Sequence, residues 1–121
     1  MATVILVIDD DPLRLATLGE ALTTDDTTSV VARTGEDALR EMRRGIAPDV
    51  VVIDLDMRDG YAVLIRLECA ISDTVPVIAL SSEPRRLLEA GIADAVLMKP
   101  FEVGQLRSCV HRACEEPRAG W

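Results

Sequence analysis

The amino-acid sequence predicts an α/β fold in which a five-stranded parallel sheet is covered by helices. Short runs rich in Val, Ile and Leu alternate along the chain with segments that carry helical apolar stripes, and this alternation is typical of βαβ crossovers. Hydrophobic residues make up 49% of the sequence and aromatic residues only 2%. The core must therefore be built from aliphatic side chains, which suits a buried parallel sheet. A length of 121 residues corresponds to one domain.

Each element has a local reason for its position. The first helix is predicted to begin with Asp11 as its N-cap and Pro12 at its first position. The second lies between the capping residue Thr34 and Gly45, which ends it. The third strand is apolar at successive positions and so buried on both faces, whereas the second is short and suits a sheet edge. The predicted strands cover residues 4–8, 29–32, 49–53, 75–80 and 95–98, and the remaining helices cover 60–70, 83–90 and 103–114.

Composition excludes several classes of function. The net charge of −8 argues against direct binding to nucleic-acid phosphates. No apolar stretch is long enough to span a bilayer, and the first residues lack the basic start of a signal peptide, so a cytoplasmic protein is expected. The three cysteines form no CxxC motif and are expected to be free thiols, mostly buried. Residues 1–115 form the predicted domain, and residues 116–121 form a tail without pattern.

Polar residues with useful chemistry stand at the carboxyl ends of the predicted strands. Asp9 and Asp10 end the first strand, Asp54 the third, Ser81 the fourth and Lys99 the fifth. In a parallel sheet these ends meet at one edge, where ligands bind. Crowded carboxylates repel one another and favour a cation, either Mg²⁺ or the ammonium of Lys99. A carboxylate can also attack phosphorus. The sequence therefore predicts an aspartyl-phosphate site.

Four motifs in this order resemble the receiver domain of bacterial two-component response regulators, over almost the whole chain. The motifs are Val7-Ile8-Asp9-Asp10-Asp11-Pro12, Pro48-Asp49-Val50-Val51-Val52-Ile53-Asp54, Pro76-Val77-Ile78-Ala79-Leu80-Ser81 and Met98-Lys99-Pro100-Phe101. The resemblance implies a doubly wound sheet with the flavodoxin-like strand order 2-1-3-4-5 and helices on both faces.

The resemblance also implies a role for each site residue. Asp54 would be the phosphoacceptor, taking phosphoryl from a phosphohistidine on a sensor kinase or phosphotransfer protein. Mg²⁺ would be bound by Asp54, by Asp10 directly, by Asp9 mainly through water, and by the backbone carbonyl of Asp56. Ser81 and Lys99 would contact the phosphoryl group, and the Lys99–Pro100 bond is expected to be cis. Such a domain is not an enzyme, although it can assist its own dephosphorylation, and its output passes to a protein target or output domain that the sequence does not identify.

Three departures from the family pattern affect the expected switch. The loop after Asp54 is two residues shorter than usual and lacks its proline, so it must be tighter. The segment between Ser81 and Lys99 is also shortened, and Val96 stands where the family usually has an aromatic residue. Because Val96 is small and stiff at χ1, phosphorylation is expected to be sensed through the loop after Ser81 and the helix at 83–90.

Two alternative functions remain open from the sequence. One is a receiver-like interaction module that has lost phosphorylation, which the departures favour. The other is a phosphohydrolase of the haloacid dehalogenase type, because Asp54-Leu55-Asp56 matches the Asp-x-Asp motif of that family. In that family, however, the acidic pair follows the nucleophile, whereas here it precedes it.

Overall fold

The structure, a computed structural model, describes residues 2–83, 91 and 93–115. It contains one parallel five-stranded sheet of order β2-β1-β3-β4-β5, as expected. The strands are β1 (Thr3–Ile8), β2 (Thr27–Ala32), β3 (Val50–Asp54), β4 (Val77–Ser81) and β5 (Ala95–Met98). The helices are α1 (Pro12–Leu22), α2 (Gly35–Arg43), α3 (Gly60–Ala70) and α4 (Val103–Glu115). The helix predicted at 83–90, apart from its first residue, and the tail at 116–121 lie outside the described residues.

Helices cover both faces of the sheet, which confirms the doubly wound architecture. Successive strand residues point to opposite faces, so Val51 and Ile53 of β3 pack with α2 and α3, whereas Val50 and Val52 pack with α1 and α4. All five residues of β3 are buried, as the continuous apolar run predicted. This central strand therefore holds its last residue, Asp54, at the middle of the carboxyl edge of the sheet.

Four strands differ from the predicted bounds: the ends of β1 and β3 differ by one residue, and β2 and β4 begin two residues away from the expected start. The edge strand β2 begins two residues earlier than expected, because Thr27 and Thr28 continue the ladder with β1 although their side chains are polar. The strand β4 begins at Val77 rather than at residue 75, and it extends to Ser81. Pro76 has no amide hydrogen to donate, although its carbonyl accepts a hydrogen bond from the amide of Val51 at 3.0 Å.

The predicted helix caps are present. The Asp11 side chain accepts hydrogen bonds from the amides of Leu13 and Arg14, at 3.0 and 3.3 Å. The Thr34 hydroxyl accepts one from the amide of Asp37 at 3.0 Å. Such N-caps typically contribute about 1 kcal/mol each, and the first of them begins α1 directly beside the acidic edge of the sheet.

The loop between β3 and α3 is tight, as its shortness predicted. Asp59 adopts a left-handed conformation with φ 60°, which non-glycine residues rarely do. The amide of Gly60 then bonds to the carbonyl of Met57 at 3.1 Å. A Cβ on Gly60 would lie 2.7 Å from the carbonyl oxygen of Leu55, so the loop closes only because this residue has no side chain.

Gly60→Ala is therefore expected to lower the free energy of unfolding by about 1–3 kcal/mol, the usual cost of overpacking. Urea denaturation followed by circular dichroism would measure the change. Gly104→Ala is the matched control, because Gly104 lies in α4 with nothing within 4 Å of the added methyl group. That control should be neutral or slightly stabilising. Equal effects of the two substitutions would show that loop closure does not depend on Gly60.

Two further expectations concern single features of the chain. The Lys99–Pro100 bond is cis, as the resemblance implied. The three cysteines are free, but the expectation that most are buried is wrong, since Cys69 and Cys114 are exposed and Cys109 is half-buried. Helical position explains this result, because Cys69 and Cys114 lie on the outward faces of α3 and α4.

In the described part of the chain, no helix is long and apolar enough to cross a membrane.

Candidate functional site: an acidic pocket at the carboxyl edge of the sheet

The register of the paired strands places the predicted site residues at the same height along the sheet, at its carboxyl edge. Ile8 of β1 pairs with Ile53 of β3, so Asp9 and Asp54 follow paired positions on neighbouring strands. Ser81 of β4 pairs with Met98 of β5, and the amide of Lys99 donates to the carbonyl of Ser81 at 2.9 Å. The carboxyl ends of four strands thus present their polar residues at one edge.

Asp54 is fully buried and bonded through both carboxylate oxygens. Its Oδ1 accepts hydrogen bonds from the Lys99 ammonium and the Asp56 amide, each at 2.8 Å. Its Oδ2 lies 2.8 Å from Lys99 Nζ and 2.8 Å from a terminal nitrogen of Arg14. Burial raises the pKa of the Asp54 carboxyl above its ordinary value, and the bonds from Lys99 and the Asp56 amide oppose that rise. The residue is therefore a desolvated carboxylate held by two cations.

The second buried carboxylate, Asp9, is held by the same arginine. Arg14 Nε lies 2.5 Å from Asp9 Oδ2, and a terminal nitrogen of Arg14 donates to Asp9 Oδ1 at 2.9 Å. The amide of Asp11 also donates to Asp9 Oδ1 at 3.0 Å. The hydrogen bond to Asp9 raises the pKa of Arg14 still further above its ordinary high value. One guanidinium thus bridges the acids at the ends of β1 and β3.

Asp56 joins the network through its side chain, whereas the resemblance to receiver domains implied only a backbone role for it. Its Oδ2 lies 3.1 Å from Lys99 Nζ and accepts a hydrogen bond from the Ser82 amide at 3.0 Å. Burial opposes the ionised form, but the bonds from Lys99 and Ser82 outweigh it and hold the pKa of Asp56 below its ordinary value. Lys99 consequently bridges two carboxylates, one at the end of β3 and one in the turn that follows.

Asp10 and Ser81 lie at the same edge but are bonded elsewhere. Asp10 Oδ2 accepts a hydrogen bond from the Arg58 amide at 3.0 Å, which ties the β1 end to the β3–α3 loop. The buried hydroxyl of Ser81 accepts one from the Glu83 amide at 2.9 Å. Neither side chain hydrogen-bonds to Asp54 among the residues that the structure describes.

The chemistry of the pocket fits a divalent cation. Three carboxylates, Asp9, Asp54 and Asp56, face two cationic side chains, Arg14 and Lys99, and a guanidinium already lies between the two buried acids as a stand-in cation. Hard oxygen ligands of this kind suit Mg²⁺, which binds through one or two carboxylates and keeps several waters. Over residues 2–83, 91 and 93–115, no three acidic, histidine or cysteine side chains converge closely enough to hold a metal ion by themselves. A bound Mg²⁺ would therefore need waters or phosphoryl oxygens as further ligands.

Arg14 is the site residue that the sequence analysis missed. It lies in the first turn of α1, where the helix dipole disfavours a cation. A basic residue in that turn, five positions after a strand-end acid, is the signal that could have identified it. The direction of the side chain depends on how α1 leaves the sheet, and the sequence alone does not fix that direction.

The family of the chain follows from its sequence as well as from its fold. Residues 5–111 match the family of the response regulator receiver domain. The chain belongs to this family, as the four motifs indicated. This assignment favours the receiver over the phosphohydrolase alternative.

Relatives and solved structures agree with this assignment. The transcriptional regulatory protein KdpE of Mycobacterium tuberculosis is 39% identical over 121 residues, covering 91% of the chain and 52% of KdpE. PrrA of Mycobacterium leprae is 38% identical over 109 residues, covering 84% of the chain and 46% of PrrA. The chain thus spans about half the length of these relatives.

Two solved receiver structures superpose closely on the chain. One is the response regulator TrrA of Thermotoga maritima in complex with Mg²⁺ and BeF, with a TM-score of 0.76 and 28% identity over 92% of this chain and 98% of that one. The other is the receiver domain of the Francisella response regulator 1452, with a TM-score of 0.76 and 29% identity over 93% of this chain and 97% of that one.

Proposed function

We propose that this receiver domain is a phosphoacceptor in a two-component phosphorelay. It takes phosphoryl onto Asp54 from a phosphohistidine of a sensor kinase or phosphotransfer protein, with Mg²⁺ as cofactor, and thereby changes its contacts with other proteins. The observation that carries this proposal is the pairing of one fully buried carboxylate, Asp54, with the ammonium of Lys99 at 2.8 Å from both its oxygens.

The transfer itself needs few groups. An oxygen of the Asp54 carboxylate attacks the phosphorus, the phosphorus–nitrogen bond of phosphohistidine breaks, and the imidazole leaves while an acyl phosphate forms. Lys99, already on both oxygens of the acceptor, stays close enough to offset the added charge. The Ser81 hydroxyl, at the end of the neighbouring strand, supplies a donor for a phosphoryl oxygen.

The residues that would hold Mg²⁺ are Asp10, Asp54, Asp9 through water, and the carbonyl of Asp56. The ion would supply positive charge that lets a phosphate dianion approach a cluster of carboxylates. The related TrrA structure, which contains Mg²⁺ and BeF, supports this assignment.

The wider setting is part of the same proposal. The domain of residues 1–115 acts in the cytoplasm through protein contacts and is not itself an enzyme. Its net charge of −8 is unsuited to direct nucleic-acid binding. KdpE and PrrA are transcriptional regulatory proteins about twice as long, so either an output domain or a separate protein target would receive the signal.

Intact mass after incubation with Mg²⁺ and acetyl phosphate tests the proposal. The protein should gain one phosphoryl group. Absence of any gain would instead favour a phosphorylation-independent interaction module. The half-buried Val96 in place of an aromatic ring, together with the Arg14 guanidinium 2.8 Å from Asp54 Oδ2, favours that second function.

The dependence of phosphorylation on Mg²⁺ should distinguish two adjacent aspartates, Asp10 and Asp11. Asp10→Ala should abolish Mg²⁺-dependent phosphorylation, because it removes a direct metal ligand. Asp11→Ala should leave it near normal, because Asp11 caps α1 through the amides of Leu13 and Arg14; its cost is about 1 kcal/mol of stability. Phosphoprotein yield by mass, with and without chelator, measures both. Phosphorylation at a normal rate in excess chelator, or matching defects in the two variants, would contradict the metal assignment.

A further inference from the structure

The guanidinium of Arg14 fills the space between the two buried acids of the pocket. It holds Asp9 in a two-pronged contact, Nε at 2.5 Å from Oδ2 and a terminal nitrogen at 2.9 Å from Oδ1. The same arginine reaches Asp54 Oδ2 at 2.8 Å. Charge-assisted, bidentate contacts of this kind are the strongest hydrogen bonds that side chains make.

These contacts leave Asp54 without a free lone pair. An ionised carboxylate offers about four acceptor sites. Lys99 occupies one on each oxygen, the Asp56 amide a second on Oδ1, and Arg14 a second on Oδ2. A cation cannot bind Asp54, and Asp54 cannot attack phosphorus, until one of these partners leaves.

Arg14 is the partner most able to leave. The Asp56 amide is part of the chain backbone, and the Lys99 side chain is only 20% exposed. The Arg14 side chain is 42% exposed and stands on a surface helix beside Leu13, which is 78% exposed. Its long stem can turn into solvent without disturbing the sheet.

We propose that Arg14 is a resident counter-cation that competes with Mg²⁺ for the acidic pocket, so that metal binding requires the guanidinium to leave Asp54. The arginine neutralises the Asp9–Asp54 pair in the metal-free protein. It therefore lowers the affinity of the receiver for Mg²⁺. It also links Mg²⁺ binding in the pocket to the side chains exposed at the start of α1. The inference uses the pocket assigned above as the metal site, but it concerns metal binding alone and not phosphoryl transfer.

Calorimetric titration with Mg²⁺ alone tests the competition. Arg14→Gln should bind Mg²⁺ about tenfold more tightly than the natural chain, a change equivalent to about 1.4 kcal/mol. Arg33→Gln is the charge-matched control, since Arg33 lines the same surface groove as Asp10 and its loss removes an equal charge nearby. Its effect should be much smaller. Equal changes in both variants would reduce the effect to general electrostatics and overturn the proposal, as would unchanged or weaker binding by Arg14→Gln.

A second variant and a second readout cover the case in which Arg14→Gln folds poorly. Arg14→Lys keeps the charge but loses the two-pronged fork, so its affinity should lie between those of the natural chain and Arg14→Gln. Without metal, both variants should melt at lower temperature than the natural chain, and both should gain more from added Mg²⁺. Equal Mg²⁺-induced shifts in melting temperature in all three proteins would overturn the proposal. So would the absence of Mg²⁺ binding in all of them, and the acetyl phosphate experiment would then decide the phosphoacceptor function separately.

Discussion

Asp54→Asn is expected to abolish phosphoryl uptake completely. In Mg²⁺ and acetyl phosphate the natural chain should gain one phosphoryl group by intact mass, and the variant should gain none. An amide oxygen is too weak a nucleophile to attack phosphorus. The neighbouring carboxylates do not replace it, because Asp9 is buried against Arg14 and Asp56 is held by Lys99 and the Ser82 amide.

Asp59→Asn provides the matched control for that experiment. It makes the same chemical change five residues along the chain, at a position with φ 60° that asparagine tolerates well. Asp59 forms no side-chain cap bond to α3, so little else should change. Normal uptake by this control with none by Asp54→Asn would assign the acceptor, whereas equal labelling of both would remove Asp54 from that role.

Lys99→Met is expected to give the largest loss of stability among single changes in the pocket. Lys99 is the cation shared by Asp54 and Asp56, and breaking a buried ion pair commonly costs 3–5 kcal/mol. Because Arg14 still contacts Asp54 and Lys99 is partly exposed, we expect a loss of about 2–3 kcal/mol at neutral pH. Urea denaturation measures it. Arg40→Gln, which removes an exposed pair with Asp37 on α2, should change stability by less than about 1 kcal/mol.

The loss of stability in Lys99→Met should depend on pH, and the pKa shifts of Asp54 and Asp56 determine the direction of that dependence. The pKa of Asp54 is raised in the folded state, so the stability linked to its protonated form is present at acid pH and is lost as pH rises through that pKa. Without the ammonium that pKa rises further. The pKa of Asp56 is lowered through Lys99, and the stability linked to that shift, which is present only above the ordinary aspartate pKa, disappears in the variant. Both effects make the deficit grow with rising pH.

A double substitution distinguishes this explanation from simple loss of packing. In Lys99→Met combined with Asp54→Asn, the buried charge that lacks a partner is gone, so the loss should be smaller than the sum of the two single losses. A pH-independent deficit, or strict additivity of the two substitutions, would show that Lys99 acts through its apolar stem.

Much of the site could be predicted because the residues that carry its chemistry directly follow the apolar strands of this chain. The apolar runs that form β1 and β3 end directly on Asp9 and Asp54, and parallel pairing then places both acids at one level. The same reasoning placed Lys99 correctly at the end of β5, and the structure pairs it with Asp54. What sequence could not supply was the partner of each side chain within the cluster.

The missed contacts are those that depend on the exact course of the backbone. The bridge from Arg14 to Asp9 and Asp54 requires a particular exit angle of α1, and the bond from the Arg58 amide to Asp10 requires a particular fold of the shortened loop. The side chain of Asp56 turns towards Lys99 for the same reason. Spacing along the chain limits which residues can meet, but the geometry of loops decides which of them do.

The hydrogen bonding of Asp54, the proposed acceptor, distinguishes the parts of the molecule that stay in place from those that can respond. Asp54 occupies the final rung of the β3–β4 ladder opposite Leu80, and the next amide, that of Leu55, donates to the carbonyl of Leu80 at 2.9 Å. The acceptor backbone therefore cannot shift without opening the centre of the sheet. A phosphoryl group on the Asp54 side chain would instead displace its surroundings. These are the ends of long side chains and the loops bonded to Asp9, Asp10, Asp54 and Asp56. The sheet therefore stays in place, and a change at Asp54 reaches the surface through the loops and side chains at the carboxyl edge of the sheet.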